Sequence, residues 1–146
     1  MTTTHETTAR VDSSARRSDT LRYAQPAVLL AFRCVVTVLF LLHPVGMLGL
    51  LGGEAPGGVM VAISVVEIVC VLLVAVGLFA RPAAFLLSGM LAFAYFVIHL
   101  PGGWNWMDNG GEPAALYSWI FLLLFVLGPG PLSLDGRRRR GAAAAS

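Results

Sequence analysis

The chain has 146 residues, of which 57% are apolar and 12% charged, with a formal net charge of +2 and a mean hydropathy of +0.78. A soluble domain of this size carries about twice that share of charged residues. A water-soluble globule is therefore all but excluded, as is disorder over most of the length, and a small integral membrane protein is left.

Residues 1–24 are polar and rich in Thr, Ser, Ala and Arg, the composition of a disordered cytoplasmic tail. Four apolar runs follow, predicting helical spans at about 27–48, 59–80, 82–100 and 113–129. A helix needs about 20 apolar residues to cross a bilayer. The second and third runs meet this cleanly. The fourth is short and becomes adequate if it starts at Glu112-Pro113. The first run is too long and begins too late for a cleaved signal peptide, so it reads as the first span. Residues 25–135 then form one all-α integral membrane four-helix bundle, and 136–146 form a second disordered, Arg-rich tail.

All ten basic residues are arginine. Arg10, Arg16, Arg17 and Arg22 precede the first run, and Arg137, Arg138, Arg139 and Arg140 follow the last. These flank the membrane as topology and anionic-lipid anchors; they do not form a nucleic-acid surface. Arg81 lies in the link between runs two and three, read as a tight turn at Arg81-Pro82, whereas 52–58 and 101–111 carry no arginine. Positive loops stay inside, so both termini are expected in the cytoplasm and the two arginine-free loops outside. Cys34 and Cys70 lie within apolar runs and form no CxxC, which excludes a thioredoxin-type motif and a zinc knuckle.

Ionisable groups inside a bilayer each need a physical reason. Glu67 sits about 12 Å into the second span at 1.5 Å per residue. A carboxylate there costs about 2.5–3.5 kcal/mol on insertion scales. It must be protonated, paired or facing a wet cavity. A proton or ligand site and a structural interhelical hydrogen bond both fit. Arg33, one to two turns into the first span, is expected to snorkel its long stem to the headgroups. His43 ends the first span and His99 the third, at the same face. Tyr95, four residues before His99, shares its helical side. Trp104 and Trp106 suit an interfacial aromatic belt. Asn109, Gly110, Gly111, Glu112 and Pro113 read as a helix start, which gives Glu112 a structural role as well. Together His43, Glu67, Tyr95, His99, Asn109 and Glu112 gather toward the outer half, predicting a polar pocket between helices. No H-x-x-H or E-x-x-H pair is present, so no metal is expected.

The chain resembles the DoxX family of small four-helix bacterial membrane proteins. The resemblance is carried by Phe32-Arg33 and Val38-Leu39-Phe40-Leu41-Leu42-His43, by Glu67, and by Val76 through Ala84 across the second turn. It continues through Ala94-Tyr95-Phe96, His99-Leu100-Pro101, Asn109-Gly110-Gly111-Glu112 and the ending from Gly128 to Asp135. The chain departs from the family's HGxxK pattern after His43, where it has Pro44 and Met47. The resemblance implies a multi-pass protein of the bacterial cell membrane. Some members look like membrane subunits of oxidoreductases, including an archaeal thiosulfate:quinone oxidoreductase, and others are associated with oxidative-stress defence.

Three functions stay open at this point. The first is a redox-associated membrane subunit linked to a quinone or sulfur compound, with Glu67 exchanging a proton, His99 donating a hydrogen bond, and His43, Tyr95, Asn109 and Glu112 shaping the ligand site. No intrinsic cofactor motif is present, so electrons would come from a partner or directly from a substrate. Quinone is the candidate cofactor, the lipid bilayer is a partner, and a soluble redox enzyme is a further partner that the resemblance alone implies. The second is a non-enzymatic anchor or scaffold for soluble partners, and the third a small-solute carrier. Nucleic acid is not expected as a partner, and a homo-oligomer is left open.

Overall fold

The computed structural model describes residues 3–52 and 57–145, with side chains from Tyr23 onward. No strand occurs among the described residues, and five helices form in order: α1 (Thr3–Met47), α2 (Gly58–Val76), α3 (Ala80–Ala94), α4 (Glu112–Leu127) and α5 (Leu134–Ala144). One π-helical turn (Tyr95–His99) and one 3-10 turn (Leu100–Gly102) prolong α3. Three segments, Tyr23–Met47, Gly58–Val76 and Ala80–Gly102, are long and apolar enough to cross a membrane, and Glu112–Leu127 is a shorter apolar helix. Large apolar side chains such as Val28, Val35, Leu39, Val69, Phe93 and Val126 stand exposed along these helices. A water-soluble chain does not expose apolar surface on that scale. The molecule is a helical membrane protein whose outward faces suit lipid.

The narrow packed seam follows helical periodicity. On α3 the buried residues are Ala80, Ala83, Ala84, Leu87, Ser88 and Leu91, one stripe at three- and four-residue spacing. Its small residues let neighbouring backbones approach, as membrane helices require in place of a hydrophobic drive. On α2 the stripe is Ser64, Glu67, Cys70, Val71 and Val74. Phe40 of α1 reaches α4 through ring contacts with Phe121 at 5.1 Å and Tyr117 at 5.2 Å.

Helices α1 to α4 run antiparallel in succession. Arg33, in the first half of the apolar segment Tyr23–Met47 of α1, meets Ala75 at the end of α2 and Pro129 and Leu132 beyond α4. His43, late in α1, shares a cavity with the α2 residue Ser64 and with His99 past α3. The bundle therefore has an arginine end and a histidine end.

Four sequence expectations are corrected here. Arg33 does not snorkel: it is 2% exposed. Its guanidinium donates to the carbonyls of Ala75 (3.2 Å), Leu132 (3.0 Å) and Pro129. Those carbonyls lie at helix ends and in a turn, where the backbone lacks its own donors, and the planar fork of arginine spans them. The turn between α2 and α3 lies at Gly77 to Phe79, not at Arg81-Pro82. Gly77 takes φ 72° and caps α2, with its N–H and that of Leu78 donating to the Leu73 carbonyl at 2.9 and 3.0 Å. Pro82 then falls in the first turn of α3, where its missing N–H does no harm.

The segment expected as a disordered C-terminal tail is helical over Leu134–Ala144. Ser133 caps it, its Oγ accepting from the Gly136 N–H at 3.0 Å. Asp135 ties the same segment down: its two carboxylate oxygens accept from Phe79 N–H and Ala80 N–H, both at 3.1 Å. Its own N–H donates to the Gly77 carbonyl at 2.9 Å. A carboxylate from a remote segment thus serves the open N-terminus of α3. Likewise α1 extends back to Thr3, where a disordered tail is expected. No glycine or proline between Thr3 and Gln25 interrupts it. Residues 53–56, within the loop expected outside, lie beyond the described residues.

Candidate functional site

A cavity of about 720 Å³ opens at the histidine end between α1, α2 and α3. Its polar wall is made by His43, Ser64, Glu67 and His99. Its rim includes Ile63, Phe85, Leu86, Phe93 and Ile98, all exposed on the lipid-facing surface. The cavity is thus amphipathic and continuous with the apolar exterior.

Glu67 is the central residue of α2, with nine residues on either side. It lies on the packed stripe and is 5% exposed. Among the described residues, no donor reaches its carboxyl group. Among the described residues no fully enclosed side-chain polar atom lacks a partner, so the carboxyl group meets the cavity and not apolar packing alone. Ser64 lies one turn earlier on the same face, which adds a hydroxyl beside the carboxyl group. The sequence signal for Ser64 is only that three-residue spacing from Glu67.

His99 is oriented by the loop that follows it. Its Nδ1 lies 3.1 Å from the Asn109 carbonyl oxygen. A carbonyl can only accept, so Nδ1 carries the proton, and in a neutral ring Nε2 is left as an acceptor. His43 is exposed at the mouth, its ring stacked on Phe40 at 5.9 Å. The two histidines lie within electrostatic range of each other.

Asn109 holds this arrangement from behind. Its Oδ1 accepts from Gly111 N–H at 2.7 Å and its Nδ2 donates to the Gly103 carbonyl at 2.7 Å. Both side-chain groups therefore bind backbone. Tyr95 also stands outside the cavity lining. Its ring packs edge-on against Phe96 at 5.3 Å. A Cβ on Gly111 would come within 2.8 Å of both the Tyr95 ring and His99 Cβ, so Gly111 is what lets the loop close on His99. Glu112 is exposed at the first turn of α4, followed by Pro113, and does not line the cavity. The structure thus brings together His43, Glu67 and His99, makes Asn109 and Tyr95 supports, and leaves Glu112 at a helix start. Among the described residues, no three of His, Cys, Asp and Glu gather as metal ligands.

Comparison with known proteins finds related sequences. An uncharacterized protein of Haemophilus influenzae is 40% identical over 125 residues, a match covering 77% of this chain and 92% of the relative. The chain belongs to that protein's family. A second uncharacterized protein of the same organism is 33% identical over 69 residues, covering 47% of this chain and 46% of its own length. No family model and no solved structure matches the chain.

Proposed function

We propose that this is a DoxX-like, four-span protein of the bacterial cell membrane, with both termini cytoplasmic, that binds a quinone-type headgroup as the membrane subunit of a redox system. The observation that carries the reading is the amphipathic cavity: a polar wall at Ser64, Glu67 and His99 and an apolar rim open to lipid. A lipid-soluble ring with hydrogen-bonding oxygens and an apolar tail fits that division, the ring inside and the tail at the rim. A bound quinone would supply two-electron, two-proton chemistry.

The chain's own groups handle protons. The carboxyl group of Glu67 exchanges a proton at the wall. With Nδ1–H engaged by the Asn109 carbonyl, a neutral His99 offers Nε2 as an acceptor, so it takes a hydrogen bond from a hydroxyl where the sequence suggested donation. His43 stands at the mouth as a relay toward the loop side. Electrons pass to or from a soluble redox enzyme, the partner implied by the resemblance.

The test is the quinone content of the purified full-length protein, measured against phospholipid by mass spectrometry and followed by titration with a short-chain benzoquinone. The expected result is enrichment over the bulk membrane. Glu67→Leu and His99→Leu should each weaken binding about tenfold, the worth of one hydrogen bond to a buried polar group. Glu67→Gln should keep binding, since the amide still donates, while stopping proton exchange. An equal quinone-to-phospholipid ratio in protein and bulk membrane, with a soluble protein retained instead, would make the chain a membrane anchor.

A further inference from the structure

The arginine end holds a second cavity, of about 320 Å³, lined by Phe79, Arg81, Pro82, Pro129, Asp135, Arg138 and Arg139. Its three arginines come from two elements far apart in sequence, the first turn of α3 and the middle of α5. The anchored C-terminal segment is what brings them together. Asp135 fastens that segment to the start of α3 with both of its carboxylate oxygens. The one acid in the cavity is therefore committed to backbone N–H groups and forms no ion pair with the arginines among the described residues. Arg81 donates once, to the Val126 carbonyl at 3.3 Å, and lies against Gly128. The guanidinium of Arg138 stands 6.0 Å from the centroid of the exposed Phe79 ring, at the outer range of a cation–π contact. Arg139 makes no hydrogen bond among the described residues. Three arginines with donors to spare thus line one cavity at the level where the apolar helices end, beside a single carboxylate already engaged by backbone.

We infer that this cavity is a binding site for a phosphate group, carried by an anionic lipid headgroup or free in solution. Guanidinium groups recognise phosphate oxygens through forked, charge-assisted hydrogen bonds. The site differs from a general attraction of basic residues to the membrane because it selects among them. Arg138 and Arg139 line it, whereas their neighbours Arg137 and Arg140 do not.

The experiment uses that selection. The full-length protein in neutral detergent is titrated at fixed ionic strength with phosphatidylglycerol in mixed micelles and, separately, with inorganic phosphate. Binding is read from the shift in thermal unfolding, with phosphatidylcholine as the zwitterionic control. The double variants Arg138→Gln/Arg139→Gln and Arg137→Gln/Arg140→Gln remove the same charge from exposed positions of α5. Saturable binding is expected for the wild type. It should weaken at least about tenfold in the first variant and remain close to wild type in the second, since a lost charge-assisted bond is worth about a decade in affinity. Saturation by phosphatidylglycerol alone assigns the anion to a lipid. Saturation by inorganic phosphate alone assigns it to a soluble one. Equal weakening in both variants, or no saturable binding of either probe, would overturn the site.

Discussion

Arg33 shows how one residue can fix the end of a bundle. It is buried on α1 and donates to the carbonyls of Ala75, Pro129 and Leu132, joining α1 to the end of α2 and to the chain beyond α4. Removing the guanidinium leaves three carbonyls without their donor, one buried and two part-buried, and hydrogen bonds to charged groups are worth about 1.5–3 kcal/mol each. Arg33→Met is therefore expected to destabilise the protein by at least about 3 kcal/mol, measured by unfolding in mild detergent. Arg33→Lys should recover only part of that, because a point charge on a flexible stem cannot serve acceptors spread over two segments. Full stability in the lysine variant would show that the charge alone matters and not the fork. The contrast with Glu67 is instructive. Both are ionisable and buried in apolar helices, yet Arg33 is fully engaged by backbone and Glu67 faces a cavity without a partner among the described residues. The first arrangement is architecture; the second leaves a group free for a ligand.

At the scale of elements, the segment between α3 and α4 decides how the site is held. The π-helical turn Tyr95–His99 ends α3 at His99, and such turns are frequent where a helix serves a site. The loop then folds back so that the Asn109 carbonyl accepts from His99 while the Asn109 side chain binds Gly103 and Gly111. Asn109→Ala removes two side-chain bonds and is expected to cost about 1–2 kcal/mol. It should also raise amide hydrogen exchange across 100–111 and weaken quinone binding with Glu67 intact. Unchanged exchange there would mean that the loop stands without Asn109. These features mark where sequence legibility ends. The apolar runs are legible because spanning a bilayer depends on length and hydropathy, both local properties. Glu67 is legible because an ionisable residue at membrane depth is anomalous by itself, and His43 and His99 are legible as neighbours of one cavity because both close spans at the same face. Arg33 is misread as snorkelling because two of its acceptors are carbonyls 96 and 99 residues away, and a backbone carbonyl has no sequence signature. The loop-bracing bonds of Asn109 are not legible for the same reason, its partners being main-chain atoms of its own loop. The C-terminal helix is missed because its anchoring depends on Asp135 meeting a turn 55 and 56 residues earlier.

For the whole molecule, the two ends differ in charge, and the proposed orientation rests on that difference. Arg81, Arg137, Arg138, Arg139 and Arg140 follow helix ends and turns at one extreme, whereas the histidine end carries His43, His99 and the exposed Trp104 and Trp106 in a loop without arginine. Arginine resists translocation, and tryptophan favours the interface at either face. The proposed orientation therefore places α5 in the cytoplasm and the tryptophan loop outside. This can be read directly with single cysteines in a Cys34→Ser/Cys70→Ser background. Met107→Cys, exposed in the tryptophan loop, should react with a membrane-impermeant maleimide in intact spheroplasts. Ala142→Cys, exposed on α5, should react only after the membrane is opened. The reverse pattern would invert the molecule, placing the arginine cavity outside and the Glu67 cavity in the inner half. The orientation bears on both proposals at once. With the arginine end inside, the phosphate site meets the anionic inner leaflet and its soluble phosphates, and the Glu67 cavity exchanges protons with the outer face. The two sites then lie at opposite ends of the same antiparallel helices, and a ligand at one end could influence the other only through the seam of Phe40, Val71, Leu87 and Phe121 that separates them.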